Sequence, residues 1–186
     1  MKFTQIDHQF LIDLQRFLQK LLLKVFTTYG IEEKPEEPQF HKYIRNIAIS
    51  WSCGVHLQSC LDATREKLWK FMSDEQNVSI SVDHEYVIFC KGLIMITEHE
   101  FDFIWRVFKR TENPVRRNLY LNSMGCIEDE SILMKFIMMI IESKDIDNDV
   151  NNEWETILKA TYSNNVVGLR VTLHFLRQHY DALIEL

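Results

Sequence analysis

Glycine and proline are scarce here, with five and three among 186 residues. So few turn formers leave little room for hairpins, and the balance points to an all-helical chain. Clustered positive charge is missing as well. The net charge is −6 and the lysines and arginines are scattered, the closest run being Arg116-Arg117. Without a basic stripe to neutralise phosphates, no nucleic-acid partner is expected, and the Arg116-Arg117 pair reads as a solvated helix face. Long hydrophobic runs are also lacking. The longest, residues 136–141, has six residues, where a spanning helix needs roughly 20, so no transmembrane segment is expected. The opening stretch, MKFTQIDHQFLIDLQRFLQKLLLKVF, is amphipathic and interrupted by Asp7 and Asp13. A secretory signal would show an unbroken apolar centre and a small-residue cleavage site, and this stretch shows neither. Made as written, the chain is expected in the cytoplasm.

Four cysteines, Cys53, Cys60, Cys90 and Cys126, show no CxxC spacing, which argues against a zinc ribbon. Cys53 and Cys60 stand two helical turns apart, or on the two sides of a short helix-to-helix turn. Composition leaves open whether the four are small buried residues in a reducing compartment or form two disulfides.

The chain has enough apolar material to fold, 46% hydrophobic and 12% aromatic, and its length suits one ordinary domain, residues 1–186, with a real core. Its organising stretch is residues 118–136, NLYLNSMGCIEDESILMKF. Apolar groups from Leu119 to Cys126 and from Ile127 to Phe136 flank a polar break at 125–131. Gly125 suits the left-handed residue just past a helix. Glu128, Asp129 and Glu130 place negative charge at the positive end of the next helix dipole. The stretch reads as helix, tight turn, helix.

Elsewhere, apolar residues recur at three and four over residues 6–28, describing an amphipathic helix closed by Gly30. EEKPEEP at 32–38 is a charged loop whose prolines cannot continue a helix. Helices follow at 40–51 and 57–71 with a break at Gly54, and then a polar loop at 73–83. That loop holds the triplet Asn77-Val78-Ser79. Asn77 is a glycan acceptor only if the chain meets the secretory pathway; a three-residue pattern recurs by chance, so the surface-loop reading is taken. Ile80, Val82, Val87 and Ile88 are compatible with a strand, but a short buried helix over 84–93 agrees better with helical neighbours. Thr97 and Glu100 form a capping box opening a helix over 98–110, and Pro114 starts the next. An acidic loop at 145–152 precedes a last helical pair, 154–162 and 166–180. Eight to ten helices in antiparallel pairs amount to an all-α chain, an α-solenoid of stacked pairs of the HEAT/armadillo-like type.

No catalytic constellation is present. A zinc aminopeptidase helix needs HExxH, two histidines one turn apart with a glutamate that activates the metal-bound water. His84-Glu85 and His99-Glu100 each lack the second histidine. His174 and His179 are five apart without an acid in place, and His179 is expected to face solvent. Asp145, Asp147 and Asp149 lack the glycine and distal glutamate of a calcium loop. No metal or cofactor site is expected in this chain.

Four segments carry a resemblance: RNIAISWSCGVHLQSCLDAT (45–64), YVIFCKGLIMITEHEFDFIWRVF (86–108), NSMGCIEDESILMKFI (122–137) and ATYSNNVVGLRVTLHFLRQHYDAL (160–183). In order, they resemble the C-terminal helical domain of the aminopeptidase N-like zinc exopeptidases, with its W-x-C…C turn, its C-x-G helix, its G-C-x-x-D turn and its closing N-x-x-G helix. The match runs from about Phe10 to the end. The resemblance implies disulfides Cys53–Cys60 and Cys90–Cys126 and an extracellular, cell-surface or secretory setting. It also implies a helical bowl that closes a peptide chamber over a zinc domain. The HExxH helix, its distal glutamate and the amine-binding strand lie upstream in that family, so no catalytic or zinc residue carries over. The chain also ends, at Leu186, slightly before the family domain usually finishes. Trp51, Phe101, Trp105 and Gly125 read as structural. The implied partners are an aminopeptidase catalytic domain or peptides. The alternative is a free-standing module that binds peptides or a protein; a polar outer surface would mark that module, and an apolar face would mark a piece of a larger enzyme.

Overall fold

A computed structural model describes residues 8–34, 36–75, 77–142 and 152–184. Among the described residues there are nine α-helices and no strand. They are α1 His8–Tyr29, α2 Gln39–Gly54, α3 Gln58–Ser73, α4 Glu85–Gly92, α5 Glu98–Arg110, α6 Pro114–Met124, α7 Glu130–Glu142, α8 Glu153–Asn164 and α9 Val166–Ile184. Each packs on helices one or two places along the chain, α1 on α2, α3 on α4, α6 on α8, and α7 and α8 on α9. This pairing of near neighbours is what stacked helix pairs require.

Local chemistry sets the helix ends. Gly30, at φ +59°, closes α1, its N–H donating to the Phe26 carbonyl at 2.7 Å. Residues 80–83 stay outside any helix, and α4 begins at Glu85 as the helical reading expects. Thr97 Oγ1 accepts from the Glu100 N–H while Glu100 Oε2 accepts from the Thr97 N–H at 2.7 Å, the reciprocal capping box. Asn113 Oδ1 accepts from the N–H groups of Val115 and Arg116 and starts α6 with Pro114 in its first turn. Asp129 Oδ1 accepts from the N–H groups of Ser131 and Ile132 at the start of α7.

Gly125 corrects the sequence expectation. Its backbone is right-handed, φ −66° and ψ −10°, so no left-handed turn demands glycine there. What demands it is space: a Cβ would stand 2.4 Å from the Ala160 carbonyl oxygen of α8. Gly168 of α9 approaches the same helix one residue on, where a Cβ would stand 1.9 Å from the Thr161 carbonyl oxygen. The acidic loop at 145–152 and its calcium-like pattern lie outside the described residues, save Asn152.

Two hydrophobic clusters result. The larger draws on α3 to α9 around Phe89, Phe101, Phe108, Leu121, Phe136 and Phe175. The smaller lies where α1 meets the α2–α3 turn, around Phe26, Ile49 and Leu57.

Candidate docking face and buried polar contacts

Helix α1 is amphipathic, yet the rest of the described structure covers only part of its apolar side. Phe26 is buried, whereas Phe10, Leu14, Phe17 and Leu21 are exposed, at spacings of four, three and four. Helix α2 repeats the pattern with Phe40, Tyr43, Ile47 and Trp51 exposed, Phe40 at 69% and Trp51 at 60%. Such rows follow one face of a helix. Apolar rows left exposed on neighbouring helices mark a contact surface. Trp51, expected to be structural, therefore does not fill the described core. Phe101 and Trp105 do: both are buried, with their rings stacked 6.4 Å apart.

Polar contacts hold this pair of helices in place. Gln19 Nε2 donates to the carbonyls of Val55 and His56 at 2.9 and 3.0 Å, and Gln15 Nε2 to Val55 at 3.0 Å. Arg45, fully buried, donates from Nε to the Tyr29 carbonyl at 3.0 Å and from both terminal nitrogens to the Glu37 carboxylate. Sequence reasoning missed Arg45, although a signal was there. Its position one turn before Ala48 and Ile49 puts it on the buried face of α2. Beside it, His84 is 2% exposed with Nε2 3.7 Å from Glu33 Oε1, and its Nδ1 has no hydrogen-bond partner. Burial pushes the imidazole below its ordinary pKa, against the opposing pull of Glu33, Asp83 and Glu32.

The remaining sequence candidates fall as follows. The sulfurs of Cys53 and Cys60 are 2.10 Å apart, joining α2 to α3 across their turn. Those of Cys90 and Cys126 are 2.07 Å apart, joining α4 to the α6–α7 turn. Asn77 is exposed on the α3–α4 loop. Arg117 overturns the solvated-face expectation: it is mostly buried, bonds the Glu153 carboxylate through Nε at 2.6 Å and lies 4.1 Å above the Phe108 ring. Arg116, half exposed, pairs with buried Glu85. His179 is half-buried against the Phe175 ring rather than solvent-facing.

The donor chemistry does not suit zinc. His84 meets Glu33 but has Ile88 where a second histidine would stand one turn on, and no group of three or more His, Cys, Asp or Glu side chains is placed to hold a metal among the described residues. No chemical step through zinc is therefore assigned to these residues. Nor is any helix long and apolar enough to cross a membrane among the described residues.

The geometry defines a disulfide-linked all-helical domain with apolar rows of α1 and α2 left uncovered. Comparison with known proteins makes that more specific. A family model described as the ERAP1-like C-terminal domain matches residues 4–186, and the chain belongs to that family. It is 20% identical over 176 residues to aminopeptidase N of Rattus norvegicus, covering 92% of this chain and 18% of that protein. It is 23% identical over 176 residues to aminopeptidase Q of Homo sapiens, covering 91% of this chain and 17% of that protein. It also matches the thyrotropin-releasing hormone-degrading ectoenzyme of Rattus norvegicus, 20% identical over 104 residues, 56% of this chain and 10% of that protein. The chain thus spans less than a fifth of the length of these curated relatives.

Proposed function

We propose that residues 1–186 form one helical domain that serves as the C-terminal, chamber-forming part of a secretory or cell-surface zinc aminopeptidase, without catalysing the reaction itself. The uncovered apolar rows of α1 and α2 carry this reading. A module without a lasting partner would leave Phe10, Phe17, Phe40 and Trp51 in water, at roughly 25 cal/mol for each Å² of apolar surface exposed. A domain that rests on another part of its own polypeptide needs such a face. In the whole enzyme, the zinc and its ligands would come from that other part, and this domain would enclose the tail of the peptide whose first residue is removed.

Immunoprecipitation from the native source with an antibody to residues 142–155 tests the reading. The expected product is a polypeptide several times the length of this chain, releasing nitroaniline from an aminoacyl-nitroanilide in a chelator-sensitive way. A polypeptide of this chain's own size without that activity refutes it and leaves a free-standing binding module.

A further inference from the structure

The chain contains one N-x-S/T triplet, Asn77-Val78-Ser79, and the fold gives it the setting that modification needs. Asn77 and Ser79 are exposed, residues 78–80 are in no helix, and Val82 farther along the same loop is 79% exposed. The Asn77 amide reaches only local surface groups: Nδ2 donates to the two carboxylate oxygens of Asp74, which is itself exposed, at 2.9 and 3.0 Å. We propose that Asn77 carries an N-linked oligosaccharide, and that this end of the helix stack faces solvent in the assembled protein. The inference rests on the secretory placement proposed above. In the reaction, the Asn77 amide nitrogen attacks C1 of the sugar in a polyprenyl-diphosphate-linked oligosaccharide. The C1–N bond forms as the C1–O bond breaks, the diphosphate leaves with the electron pair, and the amide loses one proton.

The position has a geometric consequence. The α3–α4 loop and the α1–α2 connection share the lining of an open cavity of about 420 Å³, whose walls include Ile31, Glu33, Ser79, Ser81 and His84. Glu75, two residues before Asn77, pairs with Arg110 at the end of α5. The glycan therefore emerges beside the C-terminal ends of α3 and α5. The exposed apolar rows lie on α1 and α2, so a partner that covers them leaves the α3–α4 loop to the sugar.

The test uses the protein from its native source, treated with peptide N-glycosidase in heavy-oxygen water and digested with trypsin without reduction. Cleavage after Lys70 and Lys91 gives a peptide that holds both Asn77 and Cys90, and the disulfide to Cys126 links it to the peptide of residues 118–135. The expected result is heavy-oxygen aspartate at position 77 in that linked pair. Unmodified Asn77 in the linked pair overturns the glycan and leaves the secretory reading standing; unmodified Asn77 with a free Cys90 thiol overturns both. In secreted recombinant protein, Ser79→Ala should abolish the glycosidase-sensitive mobility shift and Ser79→Thr should keep it. Persistence of the shift in Ser79→Ala also overturns the assignment.

Discussion

Replacing Gly125 by alanine adds one methyl group where the structure has none to spare. The new Cβ would lie 2.4 Å from the Ala160 oxygen, 2.5 Å from its carbonyl carbon and 2.7 Å from its Cβ. Favourable contact begins near about 3.5 Å, so the α6–α7 turn and α8 must part by roughly 1 Å, enough to forfeit between a quarter and half of the local dispersion attraction. The backbone itself would welcome alanine. At φ −66° the residue is unstrained, and the stiffer unfolded chain alone would stabilise by about 0.4–1 kcal/mol. Overpacking of a close-packed core typically costs about 1–3 kcal/mol, which outweighs that gain. The nearest clashing atoms are backbone and cannot swing aside, so the cost lies toward the upper end of that range. Net of the gain, a loss of about 1–2.5 kcal/mol remains, roughly 2–10 °C in midpoint temperature for a chain of this length, read by far-ultraviolet circular dichroism. Gly168→Ala, aimed at the Thr161 oxygen from 1.9 Å, should lose more. Gly54→Ala is the internal control, since an added methyl there would meet no atom from outside its own turn within 4 Å; it should be neutral or stabilising by up to about 1 kcal/mol. Melting of Gly125→Ala at or above the wild-type temperature would refute the close-approach reasoning.

Removing the Cys90–Cys126 bond, which closes 36 residues, should destabilise by about 4 kcal/mol, against about 2 kcal/mol for Cys53–Cys60, which closes seven; urea titration of the two paired alanine variants checks the order. Thr97→Ala removes the capping-box hydroxyl of α5 and should cost about 1 kcal/mol, again by urea titration. His84 predicts a pH dependence. Its folded pKa is depressed, so the unfolded chain takes up the proton first as pH falls. Its contribution to stability is complete above the ordinary histidine value of about 6.5 and is lost progressively as pH drops from there towards the depressed folded value. His84→Gln should flatten the stability profile in that window; an unchanged slope there would mean that the imidazole is solvated.

Much of the fold was legible because its signals are local. Thr97 and Glu100 bond each other across one turn, and Pro114 and the acidic run at 128–130 stand at the starts of α6 and α7, so a few neighbouring residues suffice to see each. The apolar spacing of α5 set Phe101, Ile104, Trp105 and Phe108 facing inward, and all four are buried. What stayed hidden depends on partners far along the chain. Arg117 reads as a surface charge until Glu153, 36 residues later, is placed against it. The need for glycine at 125 is set by the backbone of α8, not by its own turn. Periodicity in α1 and α2 told which residues were apolar but not which row would be covered. Both rows look alike in sequence, and only packing separates Phe26 from Phe17.

The first helix is held by two kinds of force on different sides. Towards the body, Gln15 and Gln19 grip the carbonyls of the α2–α3 turn, and the Tyr29 carbonyl at its end receives Arg45. Hydrogen bonds lose strength steeply with misalignment, whereas apolar contacts tolerate sliding. The grip fixes the rotation of the helix, and the outward side chains inherit that orientation whatever their identity. A substitution at Phe10, Leu14 or Phe17 therefore alters what the outward face presents and leaves untouched the bonds that aim it.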